Sequence, residues 1–249
     1  MFQFFIEKYQ LNDKKAYIEG SDVNHIKNVL RMKEGDELNV VIEGDSNEYR
    51  CEIDSFDEER VNLTVRFIKE SDVELPSKIY LLQGLPKSDK LELIIQKTVE
   101  LGVYEIIPIS LKRSVVKLDD KKVKSKVSRW NGISEAAAKQ SKRRIVPDVL
   151  EPMSLKEAIK YLKDEKVDIK LLPYEMADMD AMDKTRSIVS GIEKGKSIAV
   201  LIGPEGGFDE SEIEIAEEAG FEVITLGHRI LRTETAPIMV LSWLVYELE

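Results

Sequence analysis

Residues 197–212 read SIAVLIGPEGGFDESE, in which an apolar run is followed by a glycine-rich loop and an acidic segment. The apolar run at 197–202 predicts a buried strand. Asp209 and Glu212 have the spacing of a capping box, which predicts a helix that begins near Glu210. Because parallel sheets bind ligands where their strands end, the loop between these two elements is a candidate ligand site.

The glycine-rich loop, residues 203–208, differs from the common phosphate-binding loops. It has neither the Lys-Ser/Thr pair of a P-loop nor the G-x-G-x-x-G spacing of a dinucleotide-binding turn. The acidic residues Glu205, Asp209 and Glu210 would also repel phosphate. A ligand without phosphate, and with positive charge, fits this sequence better. The alternative is a tight strand-to-helix turn that binds nothing.

Strands and helices alternate on both sides of this loop. Apolar runs predict further strands at 78–82, 105–109, 169–173 and 222–226, with helices between them. This order is typical of an α/β domain with a largely parallel sheet. The closing helix, residues 237–249, is apolar on more than one face, which predicts burial on both sides and a homodimer interface.

The N-terminal part of the chain has a different pattern. Residues 1–70 contain short runs of alternating apolar and polar residues, such as 37–42 and 60–65, which indicate a small β barrel. The stretch 71–77 that follows contains Pro76 and acidic residues, and it predicts a linker. We therefore expect two domains, residues 1–72 and residues 73–249.

The charge is distributed unevenly along the chain. The 249 residues have a net charge of -10. Residues 111–147 nevertheless carry 12 basic and 3 acidic side chains, a local excess of +9, counted from the sequence. This basic strip is either a solvated helix face or a surface that binds a polyanion, and composition alone leaves both open.

The composition excludes several classes of protein. With 43% hydrophobic and 34% charged residues, the chain can bury a core and is not disordered. No apolar run reaches the roughly 18 residues of a membrane span, and the first residues become charged too early for a signal peptide, so a cytoplasmic protein is expected. One cysteine and two histidines form no zinc-binding set, so no metal site is expected.

A second polar loop follows the strand predicted at 222–226. Arg232, Thr233, Glu234 and Thr235 stand between that strand and the apolar closing helix. Polar side chains clustered between two apolar elements often form a site. The alternative is helix capping by Thr233 or Thr235, together with an ion pair between Arg232 and Glu234.

Six segments of the chain form one ordered set of motifs. They are HIKNVLRMKEGD at 25–36, LPKSDK at 85–90 with IQKTVELGV at 95–103, RSV at 113–115, AAKQSKR at 137–143 with Pro147, IGPEGGF at 202–208 and LGHRILRTETA at 226–236. In this order, and over nearly the whole chain, they resemble the SPOUT-class methyltransferases that modify uridine N3 in 16S ribosomal RNA, the bacterial small-subunit type E family. Lys139 departs from the family pattern, which has an acidic residue there.

The resemblance implies a fold and a cofactor. Residues 1–72 would form a PUA-like β barrel that binds RNA, and residues 73–249 an α/β domain with a deep trefoil knot. S-adenosylmethionine would be held in a bent form by three loops at the knot of an obligate homodimer. The cofactor-binding residues that it implies are Leu172, Pro173, Glu175, Ile202, Gly203, Pro204, Glu205, Gly206, Leu226, Gly227, Ile230 and Leu231.

The resemblance also implies the chemistry. Methyl transfer is an in-line displacement, so the enzyme must position uridine N3 and stabilise the charge that spreads onto O2 and O4 once N3 loses its proton. Arg232 is the first candidate for the stabilising cation, and Glu234 either orients Arg232 or accepts the proton. The residues expected to contact RNA are His25, Lys27, Arg31, Arg113, Lys139, Lys142, Arg143 and Arg144.

The implied partner is 16S ribosomal RNA or the 30S subunit, with no DNA and no membrane. Two alternatives stay open. One is a SPOUT methyltransferase that acts on a different RNA, such as a tRNA or another ribosomal site. The other is a non-catalytic RNA-binding assembly protein, in which the glycine loop is only structural.

Overall fold

The computed structural model describes residues 1–70, 72–116, 120–175 and 181–249. Residue 71 of the predicted linker and residues 117–119 of the basic strip lie outside the described residues. The chain forms two compact units, which we call the N-terminal and the C-terminal unit. The N-terminal unit comprises Met1–Glu74 and Ala138–Val146, and the C-terminal unit comprises Leu75–Ala137 and Pro147–Glu249.

The N-terminal unit is built on a six-stranded sheet with strand order β1-β4-β5-β6-β3-β2. Strand β1 pairs with β4 in parallel, and the other pairs are antiparallel. Alternate side chains of these strands, such as Ile18, Leu38 and Ile53, are buried in one core. The elements are β1 (Gln3–Ile6), β2 (Leu11–Asn12), β3 (Lys15–Glu19), α1 (Ser21–Asn24), β4 (Glu37–Ile42), β5 (Asn47–Phe56) and β6 (Arg60–Glu70).

The segment Ala138–Val146 is the main difference from the predicted division at residues 72 and 73. Its contacts explain why it belongs to the N-terminal unit. Gln3 Nε2 donates to the Arg143 carbonyl at 2.6 Å. The Arg143 guanidinium pairs with Glu74 at 2.5 Å, and the Arg144 backbone N–H donates to the same carboxylate at 2.7 Å. Hydrogen bonds therefore hold a segment distant in sequence on this sheet.

The C-terminal unit has a parallel sheet with strand order β10-β8-β7-β12-β11-β13, and β9 also pairs with β8. Every residue of β7 and β12 is buried, which explains why their sequences are continuous apolar runs rather than alternating ones. The elements are β7 (Ile79–Gly84), α2 (Lys90–Glu100), β8 (Glu105–Ser110), α3 (Asp120–Ser141), β9 (Asp148–Val149), β10 (Met153–Ser154), α4 (Leu155–Asp164), β11 (Ile169–Pro173), α5 (Ala181–Ser190), β12 (Ile198–Ile202), α6 (Glu210–Glu218), β13 (Glu222–Ile224) and α7 (Thr235–Leu248).

The predicted start of α6 is confirmed by its capping box. The Asp209 side chain accepts from the Ser211 backbone N–H, and the Glu212 carboxylate accepts from the Asp209 N–H at 2.9 Å. Strand β13 ends two residues before its predicted end at residue 226. The reason is that the Thr225 N–H donates to the hydroxyl of Thr185 at 3.0 Å instead of continuing the strand.

Helix α7 begins two residues earlier than predicted. The backbone N–H groups of Thr235 and Ala236 both donate to the carbonyl of Arg232, at 2.8 and 3.0 Å, so the first turn already forms before Pro237. Among the helices that the structure describes, none combines the length and the apolar character needed to cross a membrane.

The pairing of the strands determines where the loops lie. Strand β11 stands between β12 and β13, and β12 also pairs with β7. All of these strands run in the same direction, so their carboxyl ends meet at one edge of the sheet. The loops that follow β7, β11, β12 and β13 are therefore neighbours there.

Candidate active site at the carboxyl edge of the sheet

A cavity of about 420 Å³ opens at the carboxyl edge of the parallel sheet. This volume lies within the range of small-molecule sites, roughly 300 to 1,000 Å³. Its lining comes from the ends of β11 and β12, the glycine loop, the loop between β13 and α7, and Lys90. The predicted cofactor residues all line this cavity except Leu172, which is buried in the core of the sheet.

Close packing of the chain requires the glycines around this loop. A Cβ added to Gly84, the last residue of β7, would lie 2.7 Å from Pro204 Cδ. A Cβ on Gly203 would lie 3.2 Å from the ring of Phe208. Gly84 was not singled out in the sequence, because its role depends on contact with Pro204, a residue far along the chain that only the fold brings close.

The acidic side chains in and after the glycine loop pair with lysines and backbone N–H groups of the protein. The Glu205 carboxylate lies 3.0 Å from Lys90 Nζ and accepts from the Lys87 backbone N–H at 3.1 Å. Burial acts to raise the pKa of Glu205, but hydrogen bonds from its own backbone, Lys90 and Lys87 outweigh it and the pKa lies below its usual range. A hydrogen bond from Lys112 lowers the pKa of Asp209 to about 2. These two carboxylates are therefore not free to attract a cationic ligand.

A buried hydrogen-bond chain connects the two cavity loops. The Thr233 hydroxyl donates to the Gly203 carbonyl at 2.7 Å and accepts from Gln83 Nε2 at 3.0 Å. Gln83 is fully buried and Thr233 is 6% exposed. Sequence reasoning missed Gln83, although a lone amide in the apolar strand β7 was a usable signal, because a buried polar side chain needs a partner.

Arg232 and Glu234 stand on either side of Thr233, with different surroundings. Arg232 is exposed and lines the cavity. The Glu234 side chain is 18% exposed, and its carboxylate lies 3.2 Å from Lys90 Nζ. Among the described residues no ion pair joins Arg232 to Glu234, and α7 has no side-chain cap. For these described residues, the structure therefore shows neither the helix capping by Thr233 or Thr235 nor the ion pair between Arg232 and Glu234.

Four of the predicted RNA contacts are reachable from solvent to different degrees. His25 and Arg31 are exposed in the N-terminal unit. Lys27 is half-buried, and its ammonium donates to the Asp57 carbonyl. Arg113 is exposed in the C-terminal unit, where its guanidinium lies 3.3 Å from the carbonyl of Gly206 beside the cavity.

The other four predicted RNA contacts have side chains that bind groups of the protein. Arg143 and Arg144 are only 4% and 7% exposed, so a phosphate contact does not fit their burial. Arg143 pairs with Glu74, and Arg144 donates to backbone carbonyls of the turn before β5. Lys139 forms a 2.8 Å ion pair with Asp22, and Lys142 donates to the carbonyl of Met1. The basic strip is thus partly a structural element.

Comparisons with known proteins agree on one family. Residues 73–245 match the family described as RNA methyltransferase domain, and residues 18–66 match the RNA methyltransferase PUA domain. Ribosomal RNA small subunit methyltransferase E of Bacillus subtilis is 42% identical over 100% of this chain and 98% of its own length.

Two solved structures are similar over nearly their whole length. Ribosomal RNA small subunit methyltransferase E from Neisseria gonorrhoeae, bound to S-adenosylmethionine, is 29% identical with a TM-score of 0.81, covering 97% of this chain and 95% of that one. A Legionella pneumophila protein with the same cofactor bound is 29% identical with a TM-score of 0.82, covering 98% and 96%.

The parallel sheet with its cavity and the N-terminal PUA-like unit define a class, the SPOUT RNA methyltransferases. Within that class, the chain belongs to the ribosomal RNA small subunit methyltransferase E family.

Proposed function

We propose that the protein transfers a methyl group from S-adenosylmethionine to N3 of a uridine in 16S ribosomal RNA. The observation that carries this proposal is the cavity that gathers the glycine loop and the segment of Arg232 and Glu234 at one edge of the sheet. The Bacillus subtilis relative, named as a ribosomal RNA small subunit methyltransferase, and the cofactor-bound Neisseria structure support it.

The residues of the cavity fit S-adenosylmethionine. The cofactor contains an adenosine group and a sulfonium but no phosphate, and the loop lacks a phosphate cradle. Gly203 and Gly206 line the cavity, so their backbone groups are available to a ligand there. Apolar side chains suited to a purine also line the cavity, among them Pro173, Ile202, Leu226, Ile230 and Leu231. When bound, the cofactor supplies an electrophilic methyl group.

Arg232 and Glu234 would handle the charge and the proton of the uracil ring. Arg232 carries a guanidinium, a positively charged group that can stabilise the negative charge on O2 and O4 after N3 is deprotonated. Two roles were open for Glu234, orienting Arg232 or accepting the proton. Its ionic partner is Lys90 and not Arg232, so we assign it the role of proton acceptor. Positioning of N3 against the methyl group supplies much of the remaining rate.

RNA would be bound by the exposed side chains of His25, Arg31 and Arg113 and by the half-buried Lys27. The target base must be unstacked to enter the cavity, as is usual in the recognition of RNA bases. The 30S subunit and a cytoplasmic location are part of the same proposal. Because the protein has a net charge of -10, it would repel RNA over most of its surface and attract it only where basic side chains are exposed.

We also propose a homodimer that uses α7. Val240, Leu241 and Leu244 of this helix are fully buried within the protomer. Tyr246 is 84% exposed, and Met239 and Trp243 are half-buried, so apolar surface remains for a second copy. Sedimentation at micromolar concentration is expected to give a dimer, and a monomer would contradict this part of the proposal.

Deletion of the gene tests the proposed target. Ribosomal RNA from the deletion strain should lack one N3-methyluridine of 16S RNA, seen by primer extension and by mass spectrometry of digested RNA, and the wild-type gene should restore it. Loss of a methyl group from a tRNA or from 23S RNA instead would favour the alternative of a SPOUT enzyme with another substrate. A binding protein without activity would leave every modification intact.

A further inference from the structure

Lys90 stands at a position where a lysine is locally unfavourable. It is the first residue of α2, at the positive end of the helix dipole, where acidic side chains are favoured. Its side chain is also only 28% exposed, which restricts the solvation of the ammonium. A residue that breaks a local rule in this way often does so because of a functional site.

Two carboxylates from different elements explain the position of Lys90. Its Nζ lies 3.0 Å from Glu205 in the glycine loop and 3.2 Å from Glu234 at the start of α7. Both carboxylates are partly buried, with side chains 27% and 18% exposed. One ammonium therefore joins α2, the glycine loop and the segment that carries Arg232.

Loss of this ammonium would affect the two carboxylates differently. Glu205 would keep its hydrogen bonds from the Lys87 backbone N–H, so the glycine loop retains a support. Glu234 has no other ionic partner among the described residues, and its Oε2 atom, the one that faces Lys90, is buried with no other hydrogen-bond partner. Two like charges left close together repel each other, so the Glu234 carboxylate would turn away from Glu205.

We propose that Lys90 is a positioning residue that holds the Glu234 carboxylate at the cavity for proton transfer, without itself touching the uracil ring. This inference rests on the proposed function. A misplacement of a catalytic group by about 1 Å can reduce the rate about a hundredfold. The contribution of Lys90 should therefore appear in kcat much more than in cofactor binding.

The test compares Lys90→Met, Lys90→Arg and the control Lys97→Met in the full-length protein. Lys97 lies on the same helix and pairs with Glu100, and neither residue lines the cavity. With S-adenosylmethionine and small-subunit ribosomal RNA, Lys90→Met should reduce kcat at least about tenfold and change the Kd of the cofactor less than about threefold. Lys90→Arg should recover most of kcat, because a guanidinium can bridge two carboxylates. The control should match the wild type.

Retention of kcat within twofold in Lys90→Met would overturn the inference, and so would failure of Lys90→Arg to exceed Lys90→Met. Absence of methyl transfer in the wild type would instead overturn the proposed function. The bridge is tested independently by thermal unfolding of Lys90→Met, Glu234→Gln and the double variant. Non-additive shifts of the midpoint support the bridge, and additive shifts contradict it.

Discussion

The Thr233 hydroxyl donates a 2.7 Å hydrogen bond to the carbonyl of Gly203, a residue 30 positions earlier in the chain. This bond connects the glycine loop after β12 to the segment of Arg232 and Glu234. Gln83 supports it from β7 through a second bond of 3.0 Å to the same hydroxyl. The buried Thr233 side chain therefore connects the proposed cofactor loop directly to the proposed catalytic segment, in addition to the ion pairs of Lys90.

We predict that Thr233→Val weakens cofactor binding. Valine has nearly the same shape but leaves the Gly203 carbonyl and the Gln83 amide buried without this partner, at a cost of about 1 to 3 kcal/mol. Part of that cost should appear as a loss of affinity for S-adenosylmethionine of about tenfold, measured by calorimetry. Thr64→Val, the same substitution in β6, is the control and should leave the Kd unchanged. An unchanged Kd in Thr233→Val would contradict the proposed coupling.

Substitutions of Arg232 and Glu234 should separate chemistry from binding. Arg232→Lys should reduce kcat, because the ammonium lacks the planar fork of a guanidinium, and Glu234→Gln should reduce it by about a hundredfold or more. Both variants should bind the cofactor like the wild type, because the glycine loop is untouched. Arg186→Lys on α5, where the arginine pairs with Asp183, serves as the control. Wild-type rates in Glu234→Gln would assign the proton to another acceptor.

Arg143 should contribute to stability rather than to RNA affinity. Arg143→Met leaves the Glu74 carboxylate without its buried partner, which should lower the free energy of unfolding by about 3 kcal/mol. Arg66→Met breaks the pair with Glu52, and because solvent screens this exposed pair, the free energy of unfolding should fall much less. Urea denaturation measures both. Equal effects of the two substitutions would show that the burial of Arg143 has no energetic consequence.

Arg31 provides a test of the RNA contact in the N-terminal unit. Its backbone has a positive φ of 54°, which asparagine tolerates well, so Arg31→Asn removes the charge with little strain. The slope of log affinity for RNA against log salt should fall by about 0.7, one phosphate contact. Lys160→Asn on α4, where the lysine pairs with Asp164, should leave the slope unchanged. An unaltered slope in Arg31→Asn would remove this residue from the proposed RNA surface.

Glu105 should make stability depend on pH. Burial raises the pKa of this carboxyl above its usual value of 4.5, although a hydrogen bond from Tyr161 opposes the shift. The folded state thus holds the proton more tightly than the unfolded state, and stability is lost as pH rises from 4.5 through the folded pKa. Glu105→Gln should therefore gain stability relative to the wild type over this interval, measured by urea unfolding. A difference between the two proteins that does not change with pH would contradict this assignment.

The sequence predicted the strands and the position of the site because those signals are local. Apolar runs located β8, β11 and β12, and the capping box of Asp209 and Glu212 located the start of α6. The predicted end of β13 was wrong by two residues, because the Thr225 N–H donates to the hydroxyl of Thr185, a residue 40 positions away. Such a contact leaves no periodic signal in the sequence.

The partners of individual charges could not be predicted in the same way. Arg143 and Arg144 were interpreted as an RNA contact because a sequence shows charge but not burial. Glu234 was given Arg232 as a candidate partner on proximity in the chain, whereas its observed partner is Lys90. Gly84, Gln83 and Lys90 all depend on contacts between β7, α2 and loops far along the chain.

Methyl transfer in vitro tests the central claim most directly. The purified protein is incubated with S-adenosylmethionine that carries a labelled methyl group and with small subunits from a strain that lacks the gene. Digestion of the RNA and mass spectrometry of the nucleosides should then show one labelled N3-methyluridine per 16S RNA. Absence of label, or label at a different atom or in a different RNA, would contradict the proposed function.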